Sequence, residues 1–588
     1  MKQEIKNTSK TPKFDRAIAD YFVKLELDER GGERRTCRFS GKKFYVRPED
    51  VSFYKRIGVP LPTLEPEERR RRRHAYHNSY NLFRNTSAYS GNRVITMYPA
   101  GSPYKVYEHN VWYSDAWDPR ESARDYDSAK SFFEQFHVFQ RDVPRTNLLS
   151  SPSNLNSDYT NTSRNLKDCY IVFDQNGGEN LIYHQCCGND TNCVECWSLD
   201  NCDQCYECRI SRRLFQCYFC YECRDCLDGY FLWDSRNCQN CFMSSNLRNK
   251  KYYFRNEYVG KAEYEQRMKA VYLGDYHKLQ ELKSEFEEVI QRAPRKPNWN
   301  ERSVNSVGDY IVNSKNVYFG LWIDKSENVA YSEAARALTD CYDVTGSGGT
   351  QLSYEVSTIW GVDNYECKFS LHIESCREVE YCDSCRNCWH CFGSIGLDNQ
   401  EYCVFNKKYS KDEYWELVDT IKTSMLTQGE YGEFFPPAHA LFPYRVSLAV
   451  SFPGFRDFEN AEKYGYDTGD VEEENEHIAG DIINARDLPN DIQDVDDDIL
   501  KQVVFDEKNR KYFRIIKPEL DFYRMRGVPL PREHASVRMQ KFRETLDVKF
   551  EFYKRQCPSC KTEFETSYKP DFQGTVYCES CYQKQLVL

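Results

Sequence analysis

Apolar and polar positions recur at a short period through the middle of the chain. Asn or Asp stands in front of Cys, Val or Tyr at spacings that are multiples of twelve, as at Asn316, Asn328, Asp340 and Asn364. A repeat this short cannot bury its apolar face alone and must stack on its neighbours. We therefore predict two β-solenoids, over residues 146–258 and 301–408. The nine-residue slip from Asn192 to Asn201 favours the alternative of an irregular cysteine-rich region.

The cysteines of these segments follow a period of three. From Cys169 to Cys241 all but Cys186 are separated by multiples of three, and the rule holds again from Cys367 to Cys403. A flat strand alternates at a period of two, so this period predicts short sides with tight corners. The thiols either pack as small apolar groups or bind metal, including an iron–sulfur cluster. The candidate secondary thiol array is Cys193, Cys196, Cys202, Cys205, Cys208, Cys217, Cys220, Cys223, Cys226, Cys238, Cys241, Cys376, Cys382, Cys385, Cys388 and Cys391.

Helical patterns close each repeat segment. Ser410 and Glu413 form an S-x-x-E capping box in front of EYWELVDTIKTSML, which predicts a helix start. The predicted fold class is therefore mainly β with helical caps, with the two β-solenoids flanked by duplicated zinc-ribbon or treble-clef-like modules.

Two longer duplications support this organisation. FYKRIGVPLP at 53–62 recurs as FYRMRGVPLP at 522–531, and CFMSSNLRNKKYYFRNEYVGKAEY at 241–264 matches a segment 150 residues later. The predicted domains are a lead-in with an amphipathic helix (1–36), degenerate knuckle-like module A (37–84), ribbon-like module B without metal ligands (85–145), solenoid 1 (146–258), a helical cap or linker (259–300), solenoid 2 (301–408), a capping helix (409–430), an acidic linker (431–500), degenerate module A′ (501–555) and zinc ribbon B′ (556–588).

Module B′ contains a metal-site motif. Cys557, Cys560, Cys578 and Cys581 form two C-x-x-C pairs with seventeen residues between them. Four thiolates provide a closed tetrahedral shell for one structural Zn²⁺ ion and leave no open coordination position for catalysis.

The other module copies lack such ligands. An offset of 470 places Ser87, Ser90, Glu108 and Val111 at the positions of the four thiols. Module A offers Cys37, Ser40, Glu65 and Glu68, and module A′ offers Asp506, Asn509, His534 and Val537. These sets are poor zinc ligands, so we expect the three modules to fold without metal.

The run Arg69, Arg70, Arg71, Arg72 and Arg73 follows Pro66, which suits the first turn of a helix. Its guanidinium groups, with Tyr76 and Tyr80 for stacking, are candidate contacts to RNA. The alternative is a solvated helix paired with acidic residues of the same chain.

The composition limits the functions that this chain can have. The chain has 588 residues, 27 cysteines and a formal net charge of −11, which disfavours indiscriminate binding of nucleic acid. No secretory signal and no apolar run of about 20 residues occurs. We therefore expect a cytoplasmic protein with reduced thiols and no membrane contact.

The segments FYKRIGVPLP, PEERRRRR, CFGSIGLDNQEYCVFNKKYSKDEY and GEFFPPA resemble an uncharacterised family of bacterial cysteine-rich proteins from about Cys37 onward. The resemblance implies treble-clef-like zinc modules flanking paired C-x-x-C repeats. In such relatives the positions of Ser40, Glu65 and Glu68 would be cysteines, and the family implies no activity.

No nucleotide-binding, nucleophile-elbow or H-E-x-x-H motif is present, and no catalytic residue or small-molecule substrate is inferred. The leading hypothesis is a non-enzymatic zinc-binding scaffold that recognises a protein, RNA or ribonucleoprotein partner. A redox or metal-cluster protein and a metal store remain the alternatives.

Overall fold

The computed structural model describes residues 9–359, 361, 363–471, 480–544 and 550–586. Its helices are α1 (Pro12–Val23), α2 (Pro48–Ile57), α3 (Pro66–Ala75), α4 (His109–Trp112), α5 (Phe132–Asp142), α6 (Lys261–Met268), α7 (Tyr276–Arg292), α8 (Lys411–Thr427), α9 (Phe458–Lys463), α10 (Lys517–Arg526), α11 (Ala535–Glu544) and α12 (Glu579–Gln583). Short 3₁₀ helices lie at Pro119–Ser122, Pro437–His439, Tyr444–Val446, Leu448–Ser451, Pro453–Phe455, Ala485–Asp487, Ile492–Asp494 and Asp497–Lys501.

The strands before α6 are β1 (Glu33–Thr36), β2 (Lys43–Val46), β3 (Phe83–Thr86), β4 (Arg93–Thr96), β5 (Val106–Tyr107), β6 (Arg145–Thr146), β7 (Arg164–Lys167), β8 (Tyr170–Glu179), β9 (Ile182–Gly188), β10 (Asp190–Thr191), β11 (Trp197–Asp200), β12 (Arg209–Arg212), β13 (Tyr218–Tyr221), β14 (Leu227–Trp233), β15 (Gln239–Ser245), β16 (Lys251–Phe254) and β17 (Glu257–Tyr258). After α7 follow β18 (Val307–Val312), β19 (Lys315–Asp324), β20 (Glu327–Ala330), β21 (Glu333–Gln351), β22 (Tyr354–Ile359), β23 (Asn364–Tyr365), β24 (Lys368–Leu371), β25 (Arg377–Glu380), β26 (Trp389–Phe392), β27 (Glu401–Val404), β28 (Lys407–Lys408), β29 (Ile482–Asn484), β30 (Val503–Asp506), β31 (Lys511–Phe513), β32 (Tyr553–Gln556) and β33 (Glu563–Thr566).

The chain divides into two compact units. The first unit comprises the described parts of residues 1–147, 298–472 and 548–552, and the second those of 148–297, 473–547 and 553–588. Each unit therefore contains one large parallel sheet and one copy of each duplicated module. The first unit holds modules A and B with strands β18–β28, and the second holds A′ and B′ with strands β7–β17.

Both large sheets pair in parallel, except at the closing hairpins β16–β17 and β27–β28. Partner residues lie twelve positions apart along most of each sheet, as in Leu227 with Gln239 and Trp389 with Glu401. The spacing is fourteen where Tyr354 pairs with Lys368. The twelve-residue period of the sequence is therefore the register of the parallel pairs.

The predicted fold class, mainly β with two β-solenoids and helical caps, is wrong. Within the residues that the structure describes, the chain is mixed α/β with twelve helices. In the first unit the parallel pairings close into a barrel, because β21 pairs with β22 and β23, and β25 pairs with β24 and β23. Helices also cover the sides of the sheets: Phe132 of α5 packs on Phe392, and Phe286 of α7 packs on Phe231. The repeat period of the strands did not predict that helices would cover the sides of the sheets.

Residues in the left-handed region recur at every third position of the sheets, as at Asn201, Gln204 and Glu207. This conformation turns the chain sharply and is best tolerated by Asn and Asp. Asn316 and Asn328 adopt it, and each donates its side-chain amide to the residue twelve positions on, at 2.9 Å in both cases. The recurring Asn and Asp residues are therefore corner residues joined in a hydrogen-bonded ladder.

The core cysteines and serines satisfy the backbone at these corners. Ser211 Oγ accepts the amide of Cys223 at 3.0 Å and donates to the Arg209 carbonyl at 2.8 Å. Cys196 makes the same two bonds, accepting the Cys208 amide and donating to the Val194 carbonyl, both at 3.4 Å. A buried amide without an acceptor is costly. Cysteine and serine therefore occupy equivalent positions because each is small and both accepts and donates.

The predicted acidic linker is packed over much of its length. Phe434 contacts Tyr76, and Phe435 stacks on Phe136 of α5. Ile492 and Ile499 are also buried. Most of the acidic stretch VEEENE lies outside the described residues.

The capping box predicted at Ser410 and Glu413 is confirmed at the start of α8. None of the helices in the described ranges has the length and apolar character required to span a membrane.

We predict that Ser211→Ala destabilises the second unit by about 1–3 kcal/mol, because the buried Cys223 amide loses its acceptor. Ser211→Cys should cost less, since sulfur accepts the same amide. Thermal unfolding and hydrogen exchange at the Cys223 amide measure both effects. Equal losses for the two variants would show that the side-chain acceptor is unimportant.

Candidate metal centre

Four cysteines of module B′ meet at one point. Cys557 and Cys560 lie in the turn between β32 and β33, and Cys578 caps the N-terminus of α12, which carries Cys581. The turn is closed by hydrogen bonds from the Cys557 amide to the Thr562 carbonyl at 2.9 Å and from the Lys561 amide to the Cys557 carbonyl at 3.0 Å. A hairpin turn and a helix start therefore present two cysteines each, and the two C-x-x-C pairs meet as the sequence predicts.

The geometry suits a four-coordinate metal ion. The four Sγ atoms all lie within 4.8 Å of one another, and Cys560 and Cys578 approach to 3.5 Å. Thiolates at 2.3 Å from a tetrahedral zinc ion would be about 3.8 Å apart. Cys557 is fully buried and Cys560 is exposed. The cluster can hold a metal ion, and its four ligands would complete a tetrahedral shell.

The protein environment favours thiolates at two of these positions. Burial opposes ionisation of Cys557, but the backbone amides of Cys560 and Cys578 lower its pKa to about 6. The Thr562 hydroxyl and amide lower the pKa of Cys560. Because metal binding requires deprotonated thiols, this environment reduces the proton competition that a metal ion must overcome.

Module B repeats this frame without cysteine. The Ser87 amide bonds the Asn92 carbonyl at 2.8 Å, and Glu108 caps α4 as Cys578 caps α12. The hydroxyls of Ser87 and Ser90 both donate to the Glu108 carboxylate. This carboxylate joins the hairpin turn to the helix start, which is the connection that a metal ion would make in module B′.

Modules A and A′ use similar acid-centred contacts. In module A the Ser40 hydroxyl donates to Glu65, the residue that precedes α3, at 2.5 Å. In module A′ Asp506 accepts from the Asn509 side chain at 2.8 Å and from the His534 amide at 2.9 Å. Hydrogen bonds thus connect turn and helix in the three modules that lack a full set of four cysteines.

The arginine run of α3 is buried. Arg69 to Arg73 are each at most 6% exposed, and so is Tyr76. Arg69 and Arg73 both bind Asp343 at 3.0 Å. A phosphate cannot reach these guanidinium groups, so the structure gives the predicted RNA contact no surface here. Tyr76 donates its hydroxyl to the Pro436 carbonyl at 2.5 Å, and Tyr80 is half-buried.

Further acids complete the cluster around α3. Arg70 binds Glu333 at 2.8 Å, and Arg72 binds Glu355 at 3.0 Å. Burial opposes ionisation of Glu333, but Arg70 and His74 hold its pKa well below the usual range. The alternative prediction of a solvated helix is wrong, because α3 is buried. Its arginines do pair with acidic residues of the same chain, most of them in the parallel sheet, and Arg72 also binds Glu433 of the predicted acidic linker at 2.9 Å.

Part of this cluster recurs in the second unit. Tyr331 donates to Asp50 at 2.9 Å, and its counterpart Tyr183 donates to Glu519 at 3.0 Å. Arg69 with Asp343 corresponds likewise to Arg538 with Glu195. Residues of module A′ follow their counterparts in module A by 469 positions. Sheet residues of the first unit follow their counterparts in the second unit by 148 positions.

These acids were not identified from the sequence, although a signal for them was present. Asp343 and Glu355 are twelve residues apart, at the sheet period, and Arg538 aligns with Arg69 at the module offset.

The secondary thiol array lies in two buried clusters. Every cysteine of the array is buried, and those of each sheet pack with Leu, Ile or Val side chains. Burial raises the pKa of Cys205 and Cys220 well above the usual value, whereas hydrogen bonds from Cys220 and Cys226 outweigh burial and lower the pKa of Cys223 to about 6. In the part of the chain that the structure describes, Cys557, Cys560, Cys578 and Cys581 form the one group with metal-binding geometry. These observations favour the packing interpretation.

Comparisons with protein-family models, with curated proteins and with solved structures find no match for this chain. The family resemblance therefore stays a prediction.

We predict that Asp343→Asn costs about 3–5 kcal/mol, because Arg69 and Arg73 would lose a buried counter-charge. The matched control is Asp340→Asn, whose carboxylate lies at 3.4 Å from the half-exposed Arg56 and should matter by less than about 1 kcal/mol. Thermal unfolding compares the two variants. A similar small effect for both would contradict the docking role of Asp343.

We predict that the quadruple variant Ser87→Cys, Ser90→Cys, Glu108→Cys and Val111→Cys gains a second metal site, because module B retains the backbone frame of module B′. Metal content measured by mass spectrometry should rise by about one ion per chain. The triple variant that leaves Val111 unchanged serves as control and should bind the ion more weakly. Unchanged metal content in a folded quadruple variant would refute the equivalence of the two frames.

Proposed function

We propose that this chain is a zinc-binding, non-enzymatic scaffold that recognises a macromolecular partner. The observation that carries the proposal is the closed four-cysteine cluster on a short hairpin and helix. Four thiolates in a tetrahedral arrangement suit Zn²⁺, and such a site contributes folding free energy without an open coordination position. In this proposal the metal shapes module B′ and takes no part in a reaction.

The modules that lack four cysteines also support a structural role for the metal site. Ser40, Ser90 and Asn509 each donate to an acidic residue that joins turn and helix in its module. The same frame is therefore kept with different chemistry, which is expected when the module surface, and not the metal, contacts a partner.

The buried charged residues attach the modules to the sheets. The arginines of α3 dock module A on the sheet of the first unit, and Arg538 docks module A′ on the sheet of the second. Each unit thereby becomes a rigid block with repeated outward side chains, which is the form of an extended recognition surface.

The redox and metal-storage alternatives have less support. A cluster or stored ion needs thiolate ligands, whereas Cys208, Cys217 and other array thiols donate to backbone carbonyls about 3.2–3.5 Å away. These thiols already serve the sheet as hydrogen-bond donors.

We expect protein purified without oxygen or added metal to contain about one zinc ion per chain and neither iron nor sulfide. Cys560→Ser should lose the zinc and lower the melting temperature of module B′, whereas the control Cys186→Ser should keep both. Elemental analysis and calorimetry measure these effects. Several iron ions with sulfide would instead establish a redox protein, and uptake of many zinc ions would establish a metal store.

A further inference from the structure

Module B′ packs on the sheet of its own unit through the helix that carries Cys581. Tyr582, the next residue of α12, is 1% exposed and donates its hydroxyl to the Asp234 carboxylate. Arg248 donates to that hydroxyl and to Asp234, each at 2.9 Å. Asp234 itself is fully buried. The sheet therefore holds the helix start that presents Cys578 and Cys581.

A second set of contacts holds the other parts of the module. The Arg295 amide bonds the Thr575 carbonyl, and the Tyr577 amide bonds the Arg295 carbonyl, both at 2.9 Å. The Thr566 hydroxyl, at the end of β33, donates to the Pro297 carbonyl at 2.6 Å. Both elements that present cysteines, the β32–β33 hairpin and α12, are thus held by the rest of the second unit.

Module B docks in the first unit by a matching frame that contains no cysteine. The Arg145 amide donates to the Lys105 carbonyl at 2.8 Å, as the Arg295 amide does in the second unit. At an offset of 470 the counterpart of Tyr582 is Trp112, which uses its single N–H for a backbone carbonyl, that of Pro144. The hydrogen bond from the helix to a buried acid of the sheet therefore belongs to the module with four cysteines.

Docking and metal binding order the same small elements. The helix α12 has five residues, and β32 and β33 have four residues each. A helix or an isolated hairpin of this length is marginal in water, so its position depends on what holds it. Docking fixes the two cysteine pairs from outside, and a metal ion would fix them from within. Two interactions that order the same elements strengthen each other, and the effect is reciprocal.

We propose that docking of module B′ on the second unit is coupled to metal binding at its four-cysteine cluster, with Tyr582 and Asp234 as the positioning residues. The metal strengthens docking, and withdrawal of the metal loosens the module from its sheet. This inference rests on the proposed zinc-binding scaffold and adds a regulation of the same site. The surface that module and sheet form together is fixed in the loaded protein and loosens in the metal-free protein.

The test measures zinc affinity of the reduced, full-length protein in competition with the chelator 4-(2-pyridylazo)resorcinol. Tyr582→Phe keeps the ring and removes the hydroxyl, and Asp234→Asn removes the buried charge. Each should weaken zinc binding about tenfold, within the usual range for coupled sites. The control is Ser211→Ala, whose lost hydrogen bonds lie within the sheet. It should lower the melting temperature and leave zinc affinity unchanged.

Co²⁺ as a probe separates positioning from loss of the site itself. The visible spectrum of Co²⁺ held by four thiolates should be the same at saturation in Tyr582→Phe and in the wild type, because all four ligands remain. The midpoint of the Co²⁺ titration should shift about tenfold to higher concentration. Equal midpoints for the folded variant and the wild type would overturn the inference.

Hydrogen exchange of the wild type makes the test independent of the variants. Withdrawal of zinc with EDTA should speed exchange at the Arg295 and Tyr577 amides about tenfold, because both amides bond across the docking contact. The Arg145 amide, which makes the matching bond in module B, should exchange at an unchanged rate. Equal exchange at Arg295 and Tyr577 with and without zinc would contradict the coupling.

Zinc content distinguishes failure of this inference from failure of the proposed function. About one zinc ion per chain in the wild type, with equal zinc affinity in Tyr582→Phe and Asp234→Asn, would refute the coupling and leave the zinc-binding scaffold standing. Wild-type protein that takes up no zinc would refute both.

Discussion

The structure depends on how the core-facing amides of the repeats find acceptors. Each repeat turns at every third residue, so two of three amides bond to neighbouring strands and the third points into the core. Ser211, Cys196 and Cys202 each accept such an amide from the residue twelve positions later. Leu, Ile and Val also occupy core positions but provide no acceptor, and alanine in place of serine or cysteine would leave the amide unpaired. The high cysteine content thus follows from backbone geometry.

The sheets in turn provide the docking surfaces for the duplicated modules. In the first unit, Asp343 and Glu355 lie one repeat apart and receive the arginines of α3. Buried ion pairs contribute less to stability than to specificity in some systems, since a misdocked helix would leave charges unpaired. The same logic applies in the second unit, where Glu195 receives Arg538. These buried ion pairs fix how each module docks on the repeated sheet of its own unit.

The small modules show two ways to join a hairpin turn to a helix. Module B′ brings four thiols together, whereas module B uses two serines and one carboxylate. Both arrangements place one member of the cluster at a helix N-terminus, Cys578 in module B′ and Glu108 in module B. A metal ion held by the four thiols would therefore be one solution to a structural problem that this chain solves in other ways elsewhere.

Sequence by itself determined the properties that depend on spacing: the twelve-residue register, the duplications, the capping box at Ser410 and the four-cysteine cluster of module B′. These are local or periodic, and a few residues suffice to specify them. Only the tertiary structure decided the mixed α/β class and the burial of Arg69–Arg73. The sheet acids that bind α3 lie 263–283 positions away along the chain. Whether a charged side chain faces water or a partner depends on which surfaces the packed elements cover.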